Sequence, residues 1–80
     1  MKEMHVRLRS FQDVHDLCGI AAKMDCDLRI TDGRRSVNAK SIMCIFGIDL
    51  RRTLTLQLDC GEEDFEVFRT LAGRFEADSN

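Results

Sequence analysis

The segment 28-LRITDGRRSVNAKSIMCIFG-47 decides the fold. It opens with Leu28 and Ile30 alternating with Arg29 and Thr31, the pattern of a strand with one buried face. Asp32-Gly33 follows, a strong short hairpin signal. A partner strand then runs from about Arg34 to Asn38, with Val37 at its apolar position. At Ser41 the period changes. Ile42, Ile45 and Phe46 recur three and four apart, and Gly47 closes a short helix. Strand, turn, strand and helix thus follow each other within one stretch.

The flanks extend this order. Met4, Val6 and Leu8 alternate with His5, Arg7 and Arg9, which predicts a strand over residues 4–9. Leu54, Leu56 and Leu58 alternate with Thr55 and Gln57, which predicts another over 53–59. Phe11, Val14, Leu17, Cys18, Ala21, Ala22 and Met24 form an apolar stripe at helical spacing over residues 11–25. Gly19 weakens that helix by about 1 kcal/mol relative to alanine. Phe65, Phe68, Leu71, Ala72 and Phe75 form a last stripe, with Glu62, Glu63 and Asp64 in the first turn, where the helix dipole favours anions. The order is β-α-β-β-α-β-α. Strands apolar on one face only suit an antiparallel sheet with one face in water, so the helices must all cover the other. The expected class is α+β, a four-stranded antiparallel sheet with three helices on one face. Residues 1–76 read as a single domain and 77–80 as a flexible tail.

Composition narrows the function. The chain has 80 residues, a formal net charge of -2 and 44% apolar residues. That supports one small core and gives no global attraction for nucleic acid. Arg7, Arg9 and Arg29 fall on the open sheet face, which lacks aromatic residues for stacking bases, so no nucleic acid is expected. No apolar run is long enough for a membrane span, and the N-terminus lacks a signal peptide, so a cytoplasmic location is expected. Cys18, Cys26, Cys44 and Cys60 show no zinc-ligand spacing. Free thiols, no metal and no cofactor are expected. No catalytic constellation stands out, and the protein is expected not to be an enzyme.

Two serines sit at helix starts. Ser41 can cap the second helix by accepting a backbone N–H, worth about 1 kcal/mol. A phosphoryl group at the same place would meet free N–H groups, with Lys40 next to it. Ser10-Phe11-Gln12-Asp13 reads as the start of the first helix, a variant capping box with Asp in place of Glu.

The heptapeptide Val37-Asn38-Ala39-Lys40-Ser41-Ile42-Met43 resembles the corresponding stretch of the HPr phosphocarrier family of the bacterial sugar phosphotransferase system. The resemblance runs without a gap from about Asp27 to Leu50. It resumes around Leu56 and at the acidic start of the last helix. It implies the open-faced β-sandwich of that family. It also implies that Ser41 is a regulatory phosphorylation site for an HPr kinase/phosphorylase, and that the phosphorylated form binds a catabolite-control regulator. Lys40, Ile42, Met43 and Phe46 would form the docking patch, with Ile45 and Ile48 as core.

One motif of the family is missing. Its carrier histidine lies in a Gly-Leu/Ile-His-Ala-Arg-Pro segment. In the family's register that histidine position falls on Ser10, the arginine on Gln12 and the proline on Asp13, and the loop before the helix is shorter. The resemblance therefore implies a regulatory or protein-binding member that is not a phosphocarrier, with a precedent in the catabolite-repression HPr-like proteins, which lack the carrier histidine and keep the serine. Two alternatives remain at this point. One is a phosphocarrier using His15, which lies a turn inside the first helix and is followed by Asp16 rather than arginine. The other is a binding module with no phosphorylation, in which Ser41 is only a cap.

Overall fold

The computed structural model describes residues 1–77. Its elements run β1 (Lys2–Val6), α1 (Phe11–Ala22), β2 (Asp27–Thr31), β3 (Ser36–Asn38), α2 (Ile42–Ile45), β4 (Leu54–Asp59) and α3 (Glu62–Leu71), followed by a 3-10 turn at Gly73–Phe75. The strands form one sheet in the order β1-β4-β2-β3. Each neighbouring pair is antiparallel, with Met4 opposite Leu56, Leu56 opposite Ile30, and Ile30 opposite Val37.

That register explains the alternation. Met4, Val6, Leu28, Ile30, Leu54, Leu56 and Leu58 all point to one face and are buried. Val14, Leu17 and Ala21 of α1, Ile45 of α2, and Phe65 and Phe68 of α3 close over them. The opposite face, with Glu3, Arg29 and Asn38 exposed, is left open. The expected α+β architecture, with all helices on one side, is the one observed.

Several boundaries moved for identifiable reasons. The expected strand 4–9 ends as β1 at Val6. Beyond it the chain keeps its inward alternation as far as Leu8, which is buried. It also keeps one backbone bond, from the Arg7 N–H to the Phe75 carbonyl at 2.9 Å. β3 begins at Ser36 rather than Arg34, because the Asp32 carboxylate takes the N–H groups of Arg34 and Arg35 at 2.8 and 2.9 Å. The connection is a four-residue turn, not a two-residue one. Gly33 occupies it with φ 97, a left-handed conformation that glycine adopts without a Cβ penalty.

Helix α1 stops at Ala22 instead of reaching residue 25. Lys23 and Met24 donate to carbonyls three residues back, which tightens the last turn. Met24 still reaches the core from beyond the helix end. In α3 the predicted stripe is right at Phe65, Phe68, Ala72 and Phe75 and wrong at Leu71, which is 46% exposed. The helix ends there, and the 3-10 turn at Gly73 changes the angular spacing that brings Phe75 inward.

The C-terminal segment returns along β1. Glu76 bridges Val6, and the Ala77 N–H donates to the His5 carbonyl at 2.8 Å. Ala77 is therefore held against the sheet, while the rest of the expected tail, residues 78–80, lies outside the described residues.

Candidate functional site

The functional candidates lie at the start of α1 and along α2. Ser10 is the N-cap of α1, and its Oγ accepts the Asp13 N–H at 3.1 Å. The Asp13 carboxylate reaches back to the Arg9 N–H at 2.9 Å. The variant capping box is present, with its return bond displaced by one residue to Arg9. Asp13 also faces Arg74 at 3.4 Å, and Arg74 holds Asp16 at 2.6 Å. The head of α1 thus has its third amide engaged by Ser10 and the amide just before the helix engaged by Asp13, with a carboxylate at the third position.

Neither histidine stands at that place. His15 is on the solvent side of α1, 72% exposed, with Nδ1 3.7 Å from Asp16. His5 lies on the open face of the sheet in β1.

Ser41 is the N-cap of α2, in extended conformation at φ -106 and ψ 108. Its Oγ accepts the Cys44 N–H at 3.4 Å, a long bond for a cap. Its own N–H donates to the Asn38 carbonyl at 3.1 Å. Asn38 additionally accepts the Lys40 N–H on its side-chain oxygen at 2.9 Å. Asn38 therefore sets the bend that lifts the chain from β3 into α2. Lys40 does not present its charge to Ser41. Its Nζ donates to the Met24 carbonyl at 2.7 Å, and its carbonyl accepts from the Cys18 thiol at 3.2 Å. The amine expected beside the serine is spent on joining α2 to the end of α1.

The large apolar residues of α2 and its C-cap Phe46 divide cleanly. Ile45 is fully buried, and Ile42 packs half-buried against the core. Met43 is 83% exposed and Phe46 43%. Phe11 is 79% exposed, although its spacing placed it in the apolar stripe of α1. It sits edge-to-face on Phe46, with centroids 5.6 Å apart and planes at 80°. The sequence offered no sign of this, because Phe11 is three residues from Val14 and fits the buried stripe. At the first helical position, however, its side chain turns to Phe46 rather than to the core. The result is an apolar patch of Phe11, Met43 and Phe46 that joins the two serine-capped helix starts.

Beside the patch lies a cleft lined by Arg7, Leu8, Arg9, Ser10, Phe11, Leu50 and Arg51. A second one, lined by Arg34, Arg35 and Arg52 among others, shares Arg51 with it. Arg51 is tied to Asp49 at 3.1 Å, and Arg35 donates to the Gly47 carbonyl at 2.9 Å. Arg7 Nε is buried with no hydrogen-bond partner among the described residues. The end of the sheet that carries the patch is thus rich in arginine. Asp32 braces it from below, since its second oxygen accepts the Asp49 N–H at 2.8 Å. Three backbone N–H donors hold its carboxyl well below the usual carboxylate range.

No helix of the described residues is long and apolar enough to cross a membrane. No family model matches this sequence, and no curated protein matches it. Solved structures do. HPr-C-His from Thermoanaerobacter tengcongensis superposes with a TM-score of 0.70 at 22% identity, over 91% of this chain and 92% of that one. The histidine-containing phosphocarrier protein of Mycoplasma gives 0.72 at 18% identity, over 91% and 89%. The phosphocarrier protein HPr from Bacillus anthracis str. Ames gives 0.69 at 22%, over 92% and 95%. At these identities the likeness establishes the fold, and the chain has the HPr fold over about nine-tenths of its length.

Proposed function

We propose that this HPr fold serves as a protein-docking module of the sugar phosphotransferase system type. It works in the cytoplasm as a regulatory, non-enzymatic member that does not relay phosphate. The observation that carries the reading is the exposed patch of Phe11, Met43 and Phe46, which spans the ground between Ser10 and Ser41. Single exposed apolar residues are ordinary, but three large ones in a contiguous group with an arginine-rich border suit a protein interface.

The solved structures of this fold include phosphocarriers by name. A relay needs a nucleophilic nitrogen that takes and gives up phosphate readily. At the head of α1 this chain has the hydroxyl of Ser10, already accepting the Asp13 N–H. His15 lies a turn further on, beside Asp16, whose carboxylate disfavours a second anion. Incubation with enzyme I and phosphoenolpyruvate should therefore leave the protein unmodified. Acid-labile phosphate that disappears in His15→Ala would establish the carrier reading instead.

Ser41 is the proposed switch. Transfer of the γ-phosphoryl group from ATP forms an Oγ–P bond, releases ADP and adds about -1.5 to -2 charge beside Met43 and Phe46. The partners consistent with this are an HPr kinase/phosphorylase and a catabolite-control regulator. Kinase and ATP should label the unmutated protein and leave Ser41→Ala unlabelled. Absence of label on the unmutated protein ends the switch. The docking reading would then stand alone, with Ser41 purely the cap of α2. Binding to the regulator, followed by calorimetry, tests docking itself. Met43→Asp should weaken it without loss of fold, because Met43 contributes almost nothing to the core.

A further inference from the structure

At the end of the sheet away from the arginines, two thiols face each other. β2 and β4 pair antiparallel, with Leu28 opposite Leu58 and Asp27 opposite Asp59. One further step along the same register sets Cys26 opposite Cys60. Leu28 and Leu58 point to the helix-covered face and are buried. The period of two along each strand sends Cys26 and Cys60 to that same face. Both are free, half-buried and packed against the core. Directly opposed residues of an antiparallel pair have Cα atoms about 4.5–5.5 Å apart, inside the span of about 4.4–6.8 Å that a disulfide bridges. The thiols also sense one another. Burial pushes the Cys60 thiol up to about 11, and the next cause is the Cys26 thiol beside it. Cys18 and Cys44 have no such partner among the described residues. Cys18 donates to the Lys40 carbonyl, and Cys44 is exposed on α2.

We propose that Cys26 and Cys60 are a covalent modification site, a pair that closes reversibly to a disulfide by exchange with a small disulfide of the glutathione type. The Cys26 sulfur, as thiolate, attacks one sulfur of glutathione disulfide. Its S–S bond breaks, one glutathione leaves as thiolate, and a mixed disulfide forms on Cys26. Cys60 then gives its proton to solvent and attacks the Cys26 sulfur, and the second glutathione leaves. Two protein thiols are oxidised to one disulfide, and one glutathione disulfide is reduced to two thiols. The first attack falls to Cys26 because Cys60 is held protonated by its burial and its neighbours. The bond fastens the start of β2 to the end of β4. It closes a loop that contains β3, all of α2, Ser41, Met43 and Phe46, so oxidation restrains the segment that carries most of the docking face.

The test is equilibration of the full chain with mixtures of glutathione and glutathione disulfide, followed by alkylation and unreduced peptide mapping. Oxidised samples should yield one peptide joining Cys26 to Cys60, with a mass loss of two hydrogens, reversed by dithiothreitol. Closing so long a loop should raise the thermal midpoint by about 15–30 °C. Cys44→Ser should keep both effects, and Cys26→Ser should lose both. The mapping on unmutated protein stands even if a variant folds poorly. Cys26 and Cys60 both alkylated in excess glutathione disulfide, glutathione retained on Cys26, or a cross-link involving Cys18 or Cys44 would each overturn the assignment.

Discussion

Replacing the two capping serines separates their roles by magnitude. Ser10 starts a helix of 12 residues, and its Oγ lies 3.1 Å from the Asp13 N–H, with Asp13 returning a bond to Arg9. Ser41 starts a helix of 4 residues with a bond of 3.4 Å. A serine cap replaced by alanine typically costs about 1 kcal/mol, and a long, poorly formed bond belongs at the low end, about 0.5 kcal/mol. In a domain of this size, 1 kcal/mol moves the thermal midpoint by about 4–8 °C. Ser10→Ala should therefore lower the midpoint by about that much, and Ser41→Ala by about 2–4 °C. Both are measured by circular dichroism on thermal unfolding, with urea titration as the second method and an unchanged m-value as the check that the unfolded state is the same. If Ser41→Ala proves as destabilising as Ser10→Ala or more so, the serine is held by the fold. A switch role for its hydroxyl would then be refuted.

Other expectations follow from particular environments. A Cβ added at Gly19 meets nothing within 4 Å, so Gly19→Ala should stabilise the protein by about 1 kcal/mol in urea titration. Phe68 is completely buried and Leu71 is 46% exposed on the same helix. Phe68→Ala should cost about 3–5 kcal/mol and Leu71→Ala under about 1 kcal/mol, as read by the same titration. Asp32 is held below the ordinary carboxylate range by three backbone donors, so its ionised form favours the native state above the unfolded value of about 3.9. That contribution fades as pH falls below it. Unfolding midpoints followed downward from neutral pH should drop further for the unmutated protein than for Asp32→Asn, and equal slopes would refute the role.

The amino-acid order alone determined whatever depends on neighbours along the chain. Alternation of Leu54, Leu56 and Leu58 marks a one-faced strand wherever it pairs. Ser10 and Ser41 cap because the donors they satisfy are three residues ahead. Gly33 sits where a turn needs φ above zero. Tertiary structure decided what depends on elements far apart in sequence. Strand periodicity says which face is buried but not that β4 lies between β1 and β2, so the opposition of Cys26 and Cys60 was invisible until the sheet was assembled. Phe11 satisfied the helical spacing yet faces solvent, because it packs on Phe46, a residue far away in sequence that only the tertiary fold brings beside it. Lys40 adjoins Ser41 in sequence but gives its charge to Met24, because α1 ends there in space. Local order fixes the periodicity of burial, whereas partners are chosen by long-range packing, which a single chain's pattern does not encode.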